Sequence, residues 1–416
     1  MAWIGPRRVW HVVLGIILLV AGLFTYTYVG YMRAKGALVV ETWPVGAAVY
    51  LDGEYRGTTP LRVGRINVGV IEVRLVLAGY EEANVKLAFT VGQQRHLRVV
   101  LSDQRVEVTW PLEVTSPLIG IQEPRPGRVI VTSADGGVTA LNWRGERLWQ
   151  FFLGETVVHP PSPGASVVVG GLYGRAAAID VESGRLLWEA SWPSGTRVVG
   201  PGAGEVVVLT KDGRVFGVAT TDGAIRWQAA AIDLRWGQRR GVFYTRAGEF
   251  YQGDEDGLAL VARLPDGTVL GRLAMVGDDV VVMEKGEGLR AVSLSDHGLR
   301  WTAPVEGTVT MLQALGDHVV VGTEDGNVLV YSGDSGELRW RAELGSSPTA
   351  AAIVGGKILV GSVQHGVYAF TAGGDLVGRK AFPGAVVGMV VSEDQALVAV
   401  GVRDRGVALL RVPPWW

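Results

Sequence analysis

The chain has 416 residues, 48% apolar, with 59 glycines and only 19% charged residues, a balance that suits many short strands and tight turns and argues against disorder or a helical bundle. A formal net charge of −2 offers no basic excess for a phosphate backbone, so nucleic acid is not an expected partner. The lack of cysteine excludes disulfides, thiolate metal sites, thiol nucleophiles and lipidation of an N-terminal cysteine, and leaves the compartment undecided.

A short cytoplasmic tail is predicted over residues 1–8, followed by a transmembrane signal anchor over residues 9–32. As a helix, that apolar run would reach ~36 Å, enough to cross a ~30 Å hydrocarbon core with some tilt. Trp3 and Trp10 near one end and Tyr26, Tyr28 and Tyr31 near the other fall where interfacial rings prefer to sit. A cleaved signal peptide would have a shorter apolar core and a small-residue cleavage pattern, whereas this run continues unbroken into Tyr31-Met32-Arg33. Arg7 and Arg8 supply positive charge on the cytoplasmic side. The expectation is a single-pass protein of the cell membrane, touching lipid through this helix, with the bulk of the chain periplasmic or on the cell surface.

From residue 37 to 102 the apolar residues alternate, as in Ala48-Val49-Tyr50-Leu51 and Val70-Ile71-Glu72-Val73-Arg74-Leu75-Val76. Breaks at Asp52-Gly53, Thr59-Pro60 and Ala78-Gly79-Tyr80 complete the pattern of a small antiparallel β-domain. The order Pro44, Ala47, Val49-Tyr50, Asp52-Gly53, Gly57, Thr59-Pro60 and Gly79-Tyr80 resembles the PEGA domain, with Val68-Gly69 where that family tends to have Pro-Gly. The resemblance implies a β-sandwich module common in envelope proteins, with no catalytic residues; a rigid spacer is the plain expectation.

Beyond residue 105 the chain repeats itself. Trp149, Trp188 and Trp227 are 39 apart, as are Trp301 and Trp340. The 74 residues between Trp227 and Trp301 hold two shortened units, with Val261 in the place of a missing tryptophan, and a further 39 beyond Trp340 falls on Arg379. Each unit reads as an apolar strand, a turn such as Glu324-Asp325-Gly326, a second strand, a turn ending in Gly, and a strand carrying Trp. Four strands per unit, counting the one preceding, is the grammar of a propeller blade. After the seventh unit only three strands remain, so residues 106–113, with Trp110 in the docking place, are expected to complete an eighth blade and close the ring over residues 105–416.

The units resemble the PQQ-like repeats of quinoprotein-type propellers, in which a small residue on the third strand and a Trp on the fourth dock neighbouring blades. That resemblance assigns blade docking to Trp110, Trp149, Trp188, Trp227, Trp301 and Trp340. The quinone-dependent dehydrogenases of that class often hold their cofactor over a disulfide and in a pocket built by long insertions; neither is present in this sequence. The chain is more similar to the cofactor-free propeller lipoproteins of outer-membrane protein assembly. No catalytic, cofactor-binding or metal-binding residue is therefore assigned, and the enzyme reading gives way to one of protein binding.

Gly333-Asp334-Ser335-Gly336 has a counterpart in Glu182-Ser183-Gly184 and reads as a repeat turn rather than a nucleophile loop. Asp254-Glu255-Asp256-Gly257 lacks the alternate-ligand spacing of a calcium loop and reads as a solvated hairpin. The expected function is an all-β, membrane-anchored scaffold or accessory subunit that binds other envelope proteins, with contacts at top-face loops and the irregular stretch from Arg239 to Pro265. A glycan or small-ligand sensor is the alternative, and a quinone-dependent oxidoreductase the third reading.

Overall fold

The computed structural model describes residues 16–25 and 36–416, apart from 158–165, 202–203, 231–233, 237–241, 246, 255–256, 264–270, 278–279, 286–287, 297 and 365. Residues 16–25 form a helix whose large apolar side chains are 57% to 71% exposed. Among the described residues no helix is long and apolar enough to cross a membrane. The remainder of the expected 9–32 span, with its flanking Trp and Tyr residues, lies outside the described residues.

The contacts divide the chain at Arg105 into two units. In the first, one sheet orders strands Leu61–Ile66, Gly36–Trp43 and Gln94–Val100, and the other orders Glu54–Thr58, Ala48–Leu51, Gly69–Val76 and Ala83–Phe89. Burial alternates residue by residue along Gly36–Trp43, as a strand with one face on a core requires. Leu38, Val40, Val49, Val73 and Leu75 fill the space between the sheets. Gly36–Trp43 and Gln94–Val100 run parallel, pairing from Ala37 with Gln94 to Trp43 with Val100. The chain therefore arrives at one end of this domain and leaves at the other, about 20 Å away at ~3.3 Å per residue.

In the second unit, the described residues form eight successive antiparallel sheets, seven of four strands and one of three. The three-stranded sheet is the second blade, Ser166–Gly170, Arg175–Asp180 and Leu186–Ser191, which residues 158–165 precede. The eighth blade orders Val386–Val391, Leu397–Val402, Gly406–Arg411 and Val108–Glu113, so its outer strand comes from the start of the unit. Its inner strand packs on the inner strand of the first blade, Leu118–Arg125. The approach is close enough that a Cβ on Gly388 would stand 2.8 Å from Ile121 Cγ2, which leaves room only for glycine. The blades form a closed ring, and the core consists of separate layers between adjacent blades, such as that of Leu289, Ala291, Trp301, Val319, Val321 and Leu329 between blades five and six.

Candidate functional site

The blade junctions are built from one residue of each outer strand. Ala140 faces Trp149, Ala178 faces Trp188, Gly217 faces Trp227, Ala291 faces Trp301 and Val330 faces Trp340 across the third and fourth strands. Next to every one of these pairs the register shifts, and such a bulge re-aims the side chain beside it.

Four of these indoles reach the next blade in the same way. Trp149 Nε1 donates to Val181 O (2.9 Å), Trp188 Nε1 to Thr220 O (3.2 Å), Trp301 Nε1 to Gly333 O (2.7 Å) and Trp340 Nε1 to Ala372 O (3.0 Å). Each acceptor lies 32 positions on, in the turn before the next outer strand. The glycine of that turn closes over the ring: a Cβ at Gly184, Gly223, Gly336 or Gly374 would come within 2.4–2.9 Å of the indole. A buried ring with its one polar atom satisfied makes a junction that is apolar without an unmet donor.

Trp227 departs from this pattern. Its Nε1 donates to the buried carboxylate of Glu205 in its own blade (2.8 Å), because the position 32 on, Ala259, lies within the strand Gly257–Arg263, paired with Gln252, and not in a turn. Gly217 makes this possible, since a Cβ there would stand 2.2 Å from the indole.

Three positions expected from the repeat are corrected by one residue each. In blade four the register-equivalent of Trp is Ala262, which pairs with Phe250, and not Val261. In blade seven it is Gly378, which pairs with Ala369, and not Arg379. In the closing strand Gly145 of blade one approaches Pro111, whose Cβ would lie 2.7 Å from an added Cβ, so Pro111 and not Trp110 sits at the docking position. Trp110 instead meets Phe382 edge-on at 5.9 Å, in the connection between blades seven and eight, with the Arg405 guanidinium 5.3 Å from its ring centre.

The gap left by Gly378 is filled from elsewhere in the chain. The indole of Trp416, 1% exposed, lies on Gly378 so closely that a Cβ there would meet its Nε1 at 2.2 Å. Trp416 joins Leu359, Ala369, Val398, Val400 and Leu410 in the layer between blades seven and eight. Its Nε1 is buried with no hydrogen-bond partner among the described residues.

The outer edges carry a feature that repeat counting does not single out. Two residues before the docking position stand Leu186, Ile225, Leu260, Leu299 and Leu338 in blades two to six, all 42% to 54% exposed. The equivalents in blades one and eight are Arg147 and Thr109. A groove of about 230 Å³ opens between blades five and six, lined by Pro304, Glu306, Leu329, Tyr331, Leu338 and Arg341. A second cleft of about 500 Å³ involves Pro126, Gly127, Trp143, Glu393, Asp394 and Leu397; Trp143 Nε1 there donates to Glu123 Oε1 (2.8 Å).

Among the described residues no group of three or more His, Asp or Glu side chains could hold a metal ion. Ser335 Oγ accepts from Glu337 N within its turn, at 3.3 Å. His96 and Arg98 flank Glu41 at 3.0 Å each, and the Arg98 hydrogen bond, followed by the charge of His96, holds the Glu41 carboxyl below its ordinary range. His159, His297, His365, Glu255, Asp256 and part of the stretch from Arg239 to Pro265 lie outside the described residues.

The profile of the PEGA domain matches residues 35–105. A second profile, described as outer membrane protein assembly factor BamB, matches the overlapping segments 85–200, 144–271 and 211–404. The chain belongs to this family of PQQ-like repeat propellers. Among solved structures it resembles BamB from Moraxella catarrhalis, at 18% identity and a TM-score of 0.58, over 74% of this chain and 100% of that one. The computationally designed Ika8 protein matches with 17% identity and a TM-score of 0.61 over 72% of this chain and 98% of the design. Saccharomyces cerevisiae Sqt1 follows at 13% identity and 0.57, over 74% and 98%. At these identities the likeness concerns the fold. No curated protein sequence matches the chain.

Proposed function

We propose that this protein is a non-enzymatic scaffold or accessory subunit, anchored in the membrane through residues 9–32, whose propeller binds other envelope proteins outside the cytoplasm. The row of exposed aliphatic side chains at equivalent edge positions of blades two to six carries this reading. Single exposed leucines are ordinary on a protein surface, but a row repeated blade after blade and interrupted by Arg147 and Thr109 marks one arc of the rim. Each stands on an outer strand whose far edge has no partner strand among the described residues of its sheet, the kind of edge onto which another chain can add.

Membership in a family described by an outer-membrane assembly factor supports a role within a membrane-associated complex. The parallel first and last strands of the small domain support its use as a spacer between membrane and propeller. No cofactor enters this reading, because the indoles that could be taken for a stacking platform are occupied in the junctions.

The test is capture of bound chains from gently solubilised native membranes by the full protein and by a variant carrying Leu186→Glu, Ile225→Glu, Leu299→Glu and Leu338→Glu. The expected result is a defined partner held by the parent and lost from the variant, with the thermal midpoint unchanged because all four sites are exposed. A parent protein that emerges alone and monomeric, or a partner retained equally by the variant, overturns the proposal.

A further inference from the structure

The small domain has two chemically different ends. At the receiving end Gly36 packs on Phe89 and the Gln93 carbonyl, and Ala37 N donates to Gln93 O (3.0 Å). Around this point stand Val68, Val70 and Val91, 56%, 68% and 69% exposed. They sit on two neighbouring segments, since Gly69 pairs with Phe89 and Val70 with Ala88. Arg65 is exposed on the same end, and the Arg95 guanidinium lies 5.9 Å from the centre of the Phe89 ring.

Residues 64–70 and 88–95 contain no Asp or Glu. The first carboxylates appear further along, where Asp52 Oδ1 accepts from Glu72 N (2.8 Å). Three apolar tips with the exposed Arg65 and the half-buried Arg95 beside them, ahead of the carboxylates of Glu72 and Asp52, form a surface that a partner with negative charge over an apolar interior would match. The apolar residues 16–25 end only eleven positions before Gly36, a stretch that reaches at most ~40 Å when fully extended, so whatever holds that helix lies within reach of this end.

We propose that the receiving end of the small domain seats on the surface of an anionic phospholipid bilayer, with Val68, Val70 and Val91 entering the headgroup layer and Arg65 and Arg95 facing lipid phosphates. The inference rests on the membrane-anchor reading above and adds to it a second contact that fixes the domain upright. Val45, equally exposed but beside Trp43 at the releasing end, is the natural contrast.

Because the chain has no cysteine, single labelling sites can be introduced without competing thiols. The full-length protein is reconstituted in vesicles of phosphatidylcholine with phosphatidylglycerol, carrying an environment-sensitive fluorophore at Val68→Cys, Val91→Cys, Val45→Cys or Leu19→Cys. Quenching by spin-labelled lipid is expected to be at least about twofold greater at positions 68 and 91 than at 45, and to fall in phosphatidylcholine alone or with Arg65→Glu. Quenching at 19 by a deep acyl-chain probe reports the anchor independently. If position 19 is quenched while 68 and 91 behave like 45, the seating is overturned and the anchor stands; if 19 is not quenched, the anchor reading itself fails.

Discussion

Trp340 and Trp416 fill adjacent junctions of the ring by opposite routes. Trp340 projects from its own outer strand, lies under Gly374 and hands its N–H to Ala372. Trp416 comes from a turn in which its backbone N–H bonds to Pro413 O (3.1 Å), and it covers a glycine in the strand where a tryptophan would have stood. Its N–H goes unmet because the third and outer strands of blade eight are not consecutive in the chain, so no turn connects them to supply a carbonyl. The comparison teaches that a junction requires a large flat side chain in the gap more than it requires a particular place of origin.

The largest effects should come from emptying either gap. Trp340→Ala is expected to destabilise the propeller by about 3–5 kcal/mol, the range for deleting a buried aromatic ring, and Trp416→Ala by somewhat less because its indole carries an unpaired donor. Chemical denaturation followed by intrinsic fluorescence measures both; equal losses would mean that the unmet N–H costs nothing. Gly378→Trp should be harmful in the parent, where the two indoles collide, and tolerated beside Trp416→Ala. If Gly378→Trp is no better in the double variant, the two routes are not equivalent.

A middle-sized effect is expected at Trp227. Trp227→Phe removes the donor to a buried carboxylate and should cost about 1–3 kcal/mol, whereas Glu205→Gln keeps an acceptor and should cost less. The reverse order of the two midpoints would show that the carboxylate is held by its other neighbours and not by the indole.

The smallest effect concerns the turns between second and third strands. Hydrogen bonds from Thr323, then Asn327, hold the Asp325 carboxyl below its ordinary range, and Thr210, then Arg214, do the same for Asp212. A depressed folded-state pKa adds stability above the ordinary carboxylate value, which disappears as pH falls through the folded-state value. Thr323→Val should therefore lower the thermal midpoint slightly near neutral pH, with the difference from the parent shrinking in acid below pH ~4. A difference that stays constant with pH would place the loss in packing.

Most of the ring was legible because glycine-rich turns and tryptophans recur at a nearly constant interval, and the four regular junctions sit on Trp149, Trp188, Trp301 and Trp340. Counting misses by one position in blades four, seven and eight, where no tryptophan occupies the docking place itself. Blade four pairs Phe250 with Ala262 beside a register shift, blade seven places glycine at the site, and the tryptophan of the closing strand stands one residue before Pro111. A bulge in each outer strand also shifts the docking residue against its neighbours, a displacement invisible to a period. The seat of Trp416 on Gly378 belongs to no repeat, so counting does not reach it. The exposed aliphatic row was readable at Leu186, Ile225, Leu299 and Leu338, two residues before each tryptophan, but burial decides whether such a position packs or faces solvent.

The pairing of Thr109 with Leu409 joins positions 300 residues apart. During synthesis the amino-proximal half of that pair emerges early and must wait for nearly the whole propeller before its partner exists. Closing so long a loop is slow, and meanwhile an unpaired strand and an open array are exposed to aggregation and to mispairing with other chains. The closing pair is thus the last part of the ring to form, and an unpaired strand is what the chain carries in the interval.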